Sequence, residues 1–101
     1  MPLRVLFEWD PEKARSNAAK HAVTFGQAMA AFDDPLALSV LDRAAPAGEE
    51  RWVTIGLAGA SGLVLVVHTH IEIDEEVVAV RITSARRPTR KERSQYENEP
   101  H

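Results

Sequence analysis

Leu63-Val64-Leu65-Val66-Val67-His68-Thr69-His70 carries no helical period: Leu63–Val67 is apolar throughout, and polar residues enter only at His68. A short unbroken apolar run suits a central β-strand covered on both faces. Leu36–Leu41, Arg51–Leu57 and Glu76–Ser84 alternate with a period of two and read as three further strands. The breaks between them are Pro46-Ala47-Gly48, Gly59-Ala60-Ser61-Gly62 and the acidic Glu72–Glu75 turn. Such short connections leave room only for hairpins, so an antiparallel meander is expected.

Before this meander the pattern is mixed. Leu3, Val5, Phe7 and Trp9 fall on one face of a first strand, with Arg4, Leu6 and Glu8 on the other. Asp10-Pro11-Glu12 opens a helix: Asp10 caps free N–H groups, Pro11 fits the first turn and Glu12 suits the helix dipole. It runs to about His21 on a weak apolar stripe of Ala14, Ala18 and Ala22, and Ala22-Val23 breaks it. Thr24-Phe25-Gly26-Gln27 is a capping box, and Phe25, Ala28, Met29 and Phe32 follow the spacing of a buried helical face, a packing role that needs no cofactor. Asp33-Asp34-Pro35 stops that helix. At the other end, Thr89-Arg90-Lys91-Glu92 caps a last helix that extends to about Glu97, leaving 98–101 as a loose tail. The expected fold is α+β, an antiparallel sheet with packed helices in the order β-α-α-β-β-β-β-α, as a single domain over 1–97.

A chain of 101 residues with 45% hydrophobic and 27% charged residues fits one soluble domain with one core. It has no cysteine, which removes disulfides, thiolate metal sites and cysteine nucleophiles. Nothing at its start reads as a secretory signal and no apolar run approaches a membrane span, so a cytoplasmic location is expected. The net charge of −3 argues against a nucleic-acid partner until its distribution is considered. Residues 1–80 hold six Lys/Arg against twelve Asp/Glu, whereas residues 81–101 hold six Lys/Arg against three Glu.

The densest cationic series is Arg81, Arg86, Arg87, Arg90, Lys91 and Arg93, across a strand end, a turn and a helix N-terminus. Guanidinium forks beside a helix N-terminus match phosphate oxygens and suggest a phosphodiester backbone, although charge runs also serve as solvated faces. Arg81 lies within a strand of Val, Ala and Ile, where it must reach the edge or be paired. His68, His70 and Glu72 share one strand face, a weak metal-chelating pattern. His68 is an acid–base candidate whose alternative is a hydrogen-bonded structural histidine. A Gly-rich phosphate loop, a Gly-x-Ser-x-Gly elbow and a His-Glu-x-x-His motif are all absent.

An ordered series of blocks adds to this reading. It begins Phe7-Glu8-Trp9-Asp10-Pro11-x-Lys13-Ala14-x-x-Asn17, Lys20-His21-x-Val23-x-Phe25 and Ala31-Phe32-Asp33-Asp34-Pro35. It continues Glu49-Glu50-Arg51-Trp52-x-x-Ile55-Gly56, Val66-Val67-His68-Thr69 and Arg81-Ile82-x-Ser84-Ala85-Arg86, and closes Thr89-Arg90-x-Glu92-Arg93-x-x-Tyr96-Glu97. Over nearly its whole length the chain resembles the BrnT-type toxins of bacterial type II toxin–antitoxin modules. It departs at His70, where that family often carries a charged residue. The resemblance implies a RelE-like fold, RNA cleavage without a metal or other cofactor, and growth inhibition. It also implies neutralisation by a BrnA-type ribbon-helix-helix antitoxin, with promoter DNA bound only through the antitoxin and no membrane partner.

Metal-free cleavage needs a 2′-hydroxyl activated, charge on phosphorus stabilised and the leaving 5′-oxygen protonated. On this reading Arg51, Arg81 and Arg86 stabilise charge and His68 is the acid or base. Arg87, Arg90 and Lys91 hold the RNA backbone, with Lys20 and His21 as secondary site residues. Two other classes compete: a non-catalytic RNA- or partner-binding module using the same cations, and a metal-dependent hydrolase built on His68, His70 and Glu72.

Overall fold

The structure, a computed structural model, describes residues 4–98. Its elements are β1 (Arg4–Glu8), α1 (Pro11–His21), α2 (Phe25–Met29), a 3-10 turn (Ala30–Asp33), β2 (Leu38–Leu41), β3 (Trp52–Leu57), β4 (Leu63–Glu72), β5 (Val77–Arg86) and α3 (Arg90–Asn98). A short 3-10 turn over Gly59–Ser61 joins β3 to β4. The helix starts are built as the sequence predicts. Asp10 Oδ1 accepts from the Glu12 N–H, and Thr24 and Gln27 cap one another reciprocally. Asn98 belongs to α3 rather than to a tail, while Leu3 of the expected first strand and residues 99–101 lie outside the described residues.

The five strands form one sheet in the order β1-β5-β4-β3-β2. The β2–β5 meander is antiparallel as expected, but β1 pairs in parallel with β5, Arg4 opposite Val77 through Glu8 opposite Arg81. The sheet is therefore mixed, which corrects the expectation of a purely antiparallel one. A strand leading into helices is not bound by hairpin geometry, so it can return to pair in either sense.

Both faces of the sheet are covered. α1, α2 and the 3-10 turn lie on one face, packing Val23, Phe25, Ala28 and Ala31 against Val64, Val66, Val78, Val80 and Ile82. On the other face α3 places Tyr96 against the cluster of Ile55, Leu63 and Leu65. β4 is the strand buried on both sides, as its unbroken apolar run implies. Gly56 is required by close approach: a Cβ there would stand 2.5 Å from the Ala31 carbonyl oxygen. Asp34 joins the layers at the end of β3, where its Oδ2 accepts from the Leu57 N–H at 2.8 Å and from the Tyr96 hydroxyl at 2.6 Å. That bond to the carboxylate, with burial adding to it, pushes the Tyr96 phenol up to about 12.

Simple alternation along β5 puts Ser84 on the face of Ile82, but the structure does not. Val67 pairs with Ser84 and His68 with Ile82, leaving Thr83 as an extra residue in a β-bulge. Its hydroxyl donates to the Val67 carbonyl at 3.1 Å. One inserted residue reverses the faces beyond it, so Ala85, not Ser84, enters the core.

Candidate nucleic-acid interface

Of the arginines expected to meet phosphate, Arg51, Arg81, Arg86 and Arg87 are engaged within the chain. Arg51 stands 3.5 Å from Asp42, with its Nε buried and unbonded. Arg81 stands 3.5 Å from Glu8, both side chains about half exposed or more. Arg86 is clamped by Glu92 through two bonds of 2.8 and 3.0 Å. This clamp, led by the hydrogen bonds, raises the Arg86 guanidinium pKa and lowers the Glu92 carboxyl to about 2. Arg87 donates to the backbone carbonyls of Ser61 and Leu63 and so closes the β3–β4 connection. Arg90 and Lys91 are exposed on the first turn of α3 and make no ion pair among the described residues.

Register brings two of these cations into one row. Arg81 pairs with Glu8 on one side and with Thr69 on the other. Arg51, just before β3, continues the Trp52–His68 pairing toward Thr69, and its carbonyl accepts from the Asp42 N–H. The row thus runs Glu8, Arg81, Thr69, Arg51, Asp42. Arg86 lies further along β5, opposite Leu65.

His68 is in the core, 3% exposed, with its ring edge-on to Phe32 at 4.9 Å between centroids. Its Nδ1 faces the Thr69 carbonyl at 3.1 Å, an acceptor, so Nδ1 carries the proton. Nε2 then accepts from the Thr54 hydroxyl at 2.7 Å, and Thr54 accepts from Ser39 at 2.8 Å. Burial holds the imidazole below its usual range, against the opposing bond to Thr69. Both ring nitrogens are occupied, which is the arrangement of a neutral structural histidine. His70 is exposed on the same strand, and among the described residues no cluster of three His, Cys, Asp or Glu is placed to hold a metal ion.

Three further cations without ion pairs gather elsewhere. Beyond Arg81, β1 has ended and β5 continues with one edge open. α1 lies along that edge and with it encloses a groove of about 230 Å³, lined by Lys13, Ser16, Asn17, Lys20, His21, Thr83 and Ser84. No carboxylate lines it, and Lys13, Lys20 and His21 make no ion pair among the described residues. Lys20 and His21 also occupy the last turn of α1, where a cation suits the helix dipole. Lys13 occupies the first turn, where the dipole disfavours it, so the dipole does not account for the set.

Asn17 holds the groove together. It is 8% exposed and donates to the carbonyls of Val23 at 3.0 Å and Ala85 at 2.7 Å. Its Oδ1 accepts from the Ala85 N–H at 3.1 Å and from the Ser84 hydroxyl at 3.4 Å. Sequence reasoning places Lys20 and His21 in the site but not Lys13, Thr83 or Ser84. Helical spacing of 13, 16, 17 and 20 marks one face of α1, whereas the meeting of that face with a bulged strand has no local signature.

A family model described as ribonuclease toxin, BrnT, of type II toxin–antitoxin system matches residues 9–92. Among solved structures the chain is similar to the Brucella abortus ribonuclease toxin, BrnT. The TM-score is 0.58 at 21% identity, covering 86% of this chain and 99% of that one. No curated protein matches the sequence.

Proposed function

Because the chain belongs to the BrnT family of ribonuclease toxins of type II toxin–antitoxin systems, we propose that it cleaves RNA without a metal in the α1–β5 groove. The observation that carries this is the carboxylate-free meeting of Lys13, Lys20 and His21 with the hydroxyls of Thr83 and Ser84. In the proposed reaction the 2′-oxygen attacks the adjacent phosphorus and the bond to the 5′-oxygen breaks, leaving a cyclic phosphate and a free 5′-hydroxyl. His21 exchanges the protons of this step, taking one from the 2′-hydroxyl or giving one to the 5′-oxygen. Lys13 and Lys20 stabilise the charge that builds on the phosphoryl oxygens.

Arg81 joins from β5, two residues before Thr83. Its exposed pair with Glu8 is weak, so a phosphate can replace the carboxylate at little cost. Arg51 stays paired with Asp42 at the end of the row, and Arg87, Arg90 and Lys91 offer backbone contacts beyond the groove. Arg86 anchors α3, and His68 supports the sheet. The partner that restrains the toxin is an antitoxin of the BrnA type, a ribbon-helix-helix protein through which the complex reaches promoter DNA.

The test is cleavage of RNA by the purified chain with EDTA present. Wild type should cut, and His21→Ala and Lys20→Ala should each lose about a hundredfold or more in rate, while His68→Gln, if folded, keeps the groove and its activity. Undiminished cleavage by the His21→Ala/Lys20→Ala double variant would sink the groove assignment. Salt-dependent RNA binding with intact RNA after long incubation would instead leave a non-catalytic binding module.

A further inference from the structure

A second cavity, of about 420 Å³, opens on the face of the sheet that α2 and the 3-10 turn cover, toward the start of β5. Val78, Val80 and His68 floor it, Phe32 closes one side, and Trp52 and His70 stand beside its mouth. Its apolar lining reaches the surface at Val5, which is paired with Val78 and 40% exposed. Apolar volume and surface of this kind, with few polar groups, favour a large apolar side chain as occupant.

The rim of this cavity is acidic. Glu50 accepts from the Trp52 indole N–H at 3.4 Å. Glu72 lies two residues beyond His70 on β4 and pairs with Val78, which places it at the cavity's edge. The β2–β3 connection and the β4–β5 turn both leave the sheet at this end. Segments 42–51 and 72–76 together carry seven carboxylates against Arg43 and Arg51, and Arg51 is already paired with Asp42. A phosphodiester backbone is repelled by such a rim, whereas a segment rich in lysine and arginine is attracted to it.

We propose that this end of the sheet is the docking surface for the antitoxin, which inserts one large apolar or aromatic side chain into the cavity and sets flanking basic residues against Glu50 and Glu72. The inference rests on the antitoxin partnership of the proposed function and not on the α1–β5 groove. None of the residues that line this cavity lines the α1–β5 groove.

The test uses a short synthetic peptide of lysines and arginines around one central phenylalanine, followed by Trp52 fluorescence and calorimetry. Binding should weaken about tenfold or more in the Glu50→Lys/Glu72→Lys variant, and equally when the peptide phenylalanine becomes alanine. Both carboxylates are exposed, so the variant folds, which circular dichroism checks. The same reversals should release a co-expressed antitoxin from its complex with this chain. Indifference of the peptide or of that complex to charge reversal overturns the proposal. So does a Trp52 response to single-stranded RNA in place of the peptide, which would mark a nucleobase pocket. RNA cleavage by the reversed variant should equal wild type. A wild type that cuts no RNA yet binds the peptide in this charge-dependent way would defeat the groove assignment alone.

Discussion

The side chain of Asn17 pairs with the backbone of Ala85 as a neighbouring strand would, donating to its carbonyl at 2.7 Å and accepting from its N–H at 3.1 Å. β1 stops opposite Arg81, and without Asn17 this stretch of β5 has an open, buried edge. A third bond, to the Val23 carbonyl, ties the same amide to the link between α1 and α2.

Asn17→Ala should therefore destabilise the fold by about 3 kcal/mol or more, since three buried backbone groups lose their partner at about 1–3 kcal/mol each. Asn17→Asp should also destabilise, because a carboxylate cannot donate to the two carbonyls. Chemical denaturation of both variants measures this. A loss below about 1 kcal/mol in Asn17→Ala would mean that the edge is satisfied in another way.

Buried and neutral, His68 makes stability depend on pH in a defined direction. Its folded-state pKa lies below the usual 6.5, so the unfolded chain binds the proton more readily. The contribution is fully present above 6.5 and is lost as pH falls from there toward the folded-state value. Denaturation midpoints should fall between pH 7 and pH 5, and His68→Gln should flatten that slope. NMR titration gives a second check: the His68 imidazole should titrate below the ordinary 6.5 if burial governs it.

The Arg86–Glu92 clamp predicts a separate acid transition. Glu92 falls from an ordinary 4.5 to about 2, chiefly through its bonds to Arg86. The stabilisation it provides is therefore complete above pH 4.5 and disappears as pH drops toward 2. α3 has no fully buried residue and is held largely by this clamp and by Tyr96 with Asp34, so it should loosen first. Hydrogen exchange across 90–98 should accelerate in that window. Glu92→Gln should show the faster exchange already at neutral pH, and protection unchanged by the substitution would refute the role of the clamp.

Much of this molecule is legible one segment at a time. The capping residues Asp10 and Thr24, the period-two runs and the unbroken Leu63–Val67 stretch act through neighbours in sequence, and each element forms where those signals stand. The candidate site is less legible. Lys20 and His21 stand out as cations at a helix end, but the partners of Arg51, Arg81 and Arg86, which are Asp42, Glu8 and Glu92, are not legible there. His68 reads as acid or base until Thr54 and the Thr69 carbonyl take up both nitrogens. Whether a charge is spent on a partner depends on register, which local sequence does not encode.

Element order, family and the stock of chemistry are all written in local sequence: no thiol, four histidines and a basic C-terminal fifth. The parallel pairing of β1 with β5, the bulge at Thr83, and the carboxylate-free groove that Lys13 and His21 share with Ser84 arise where distant segments meet. The reason is range. Caps, periods and turns are interactions within a few residues, while the groove is made by residues some sixty or more positions apart, joined where Asn17 meets Ala85.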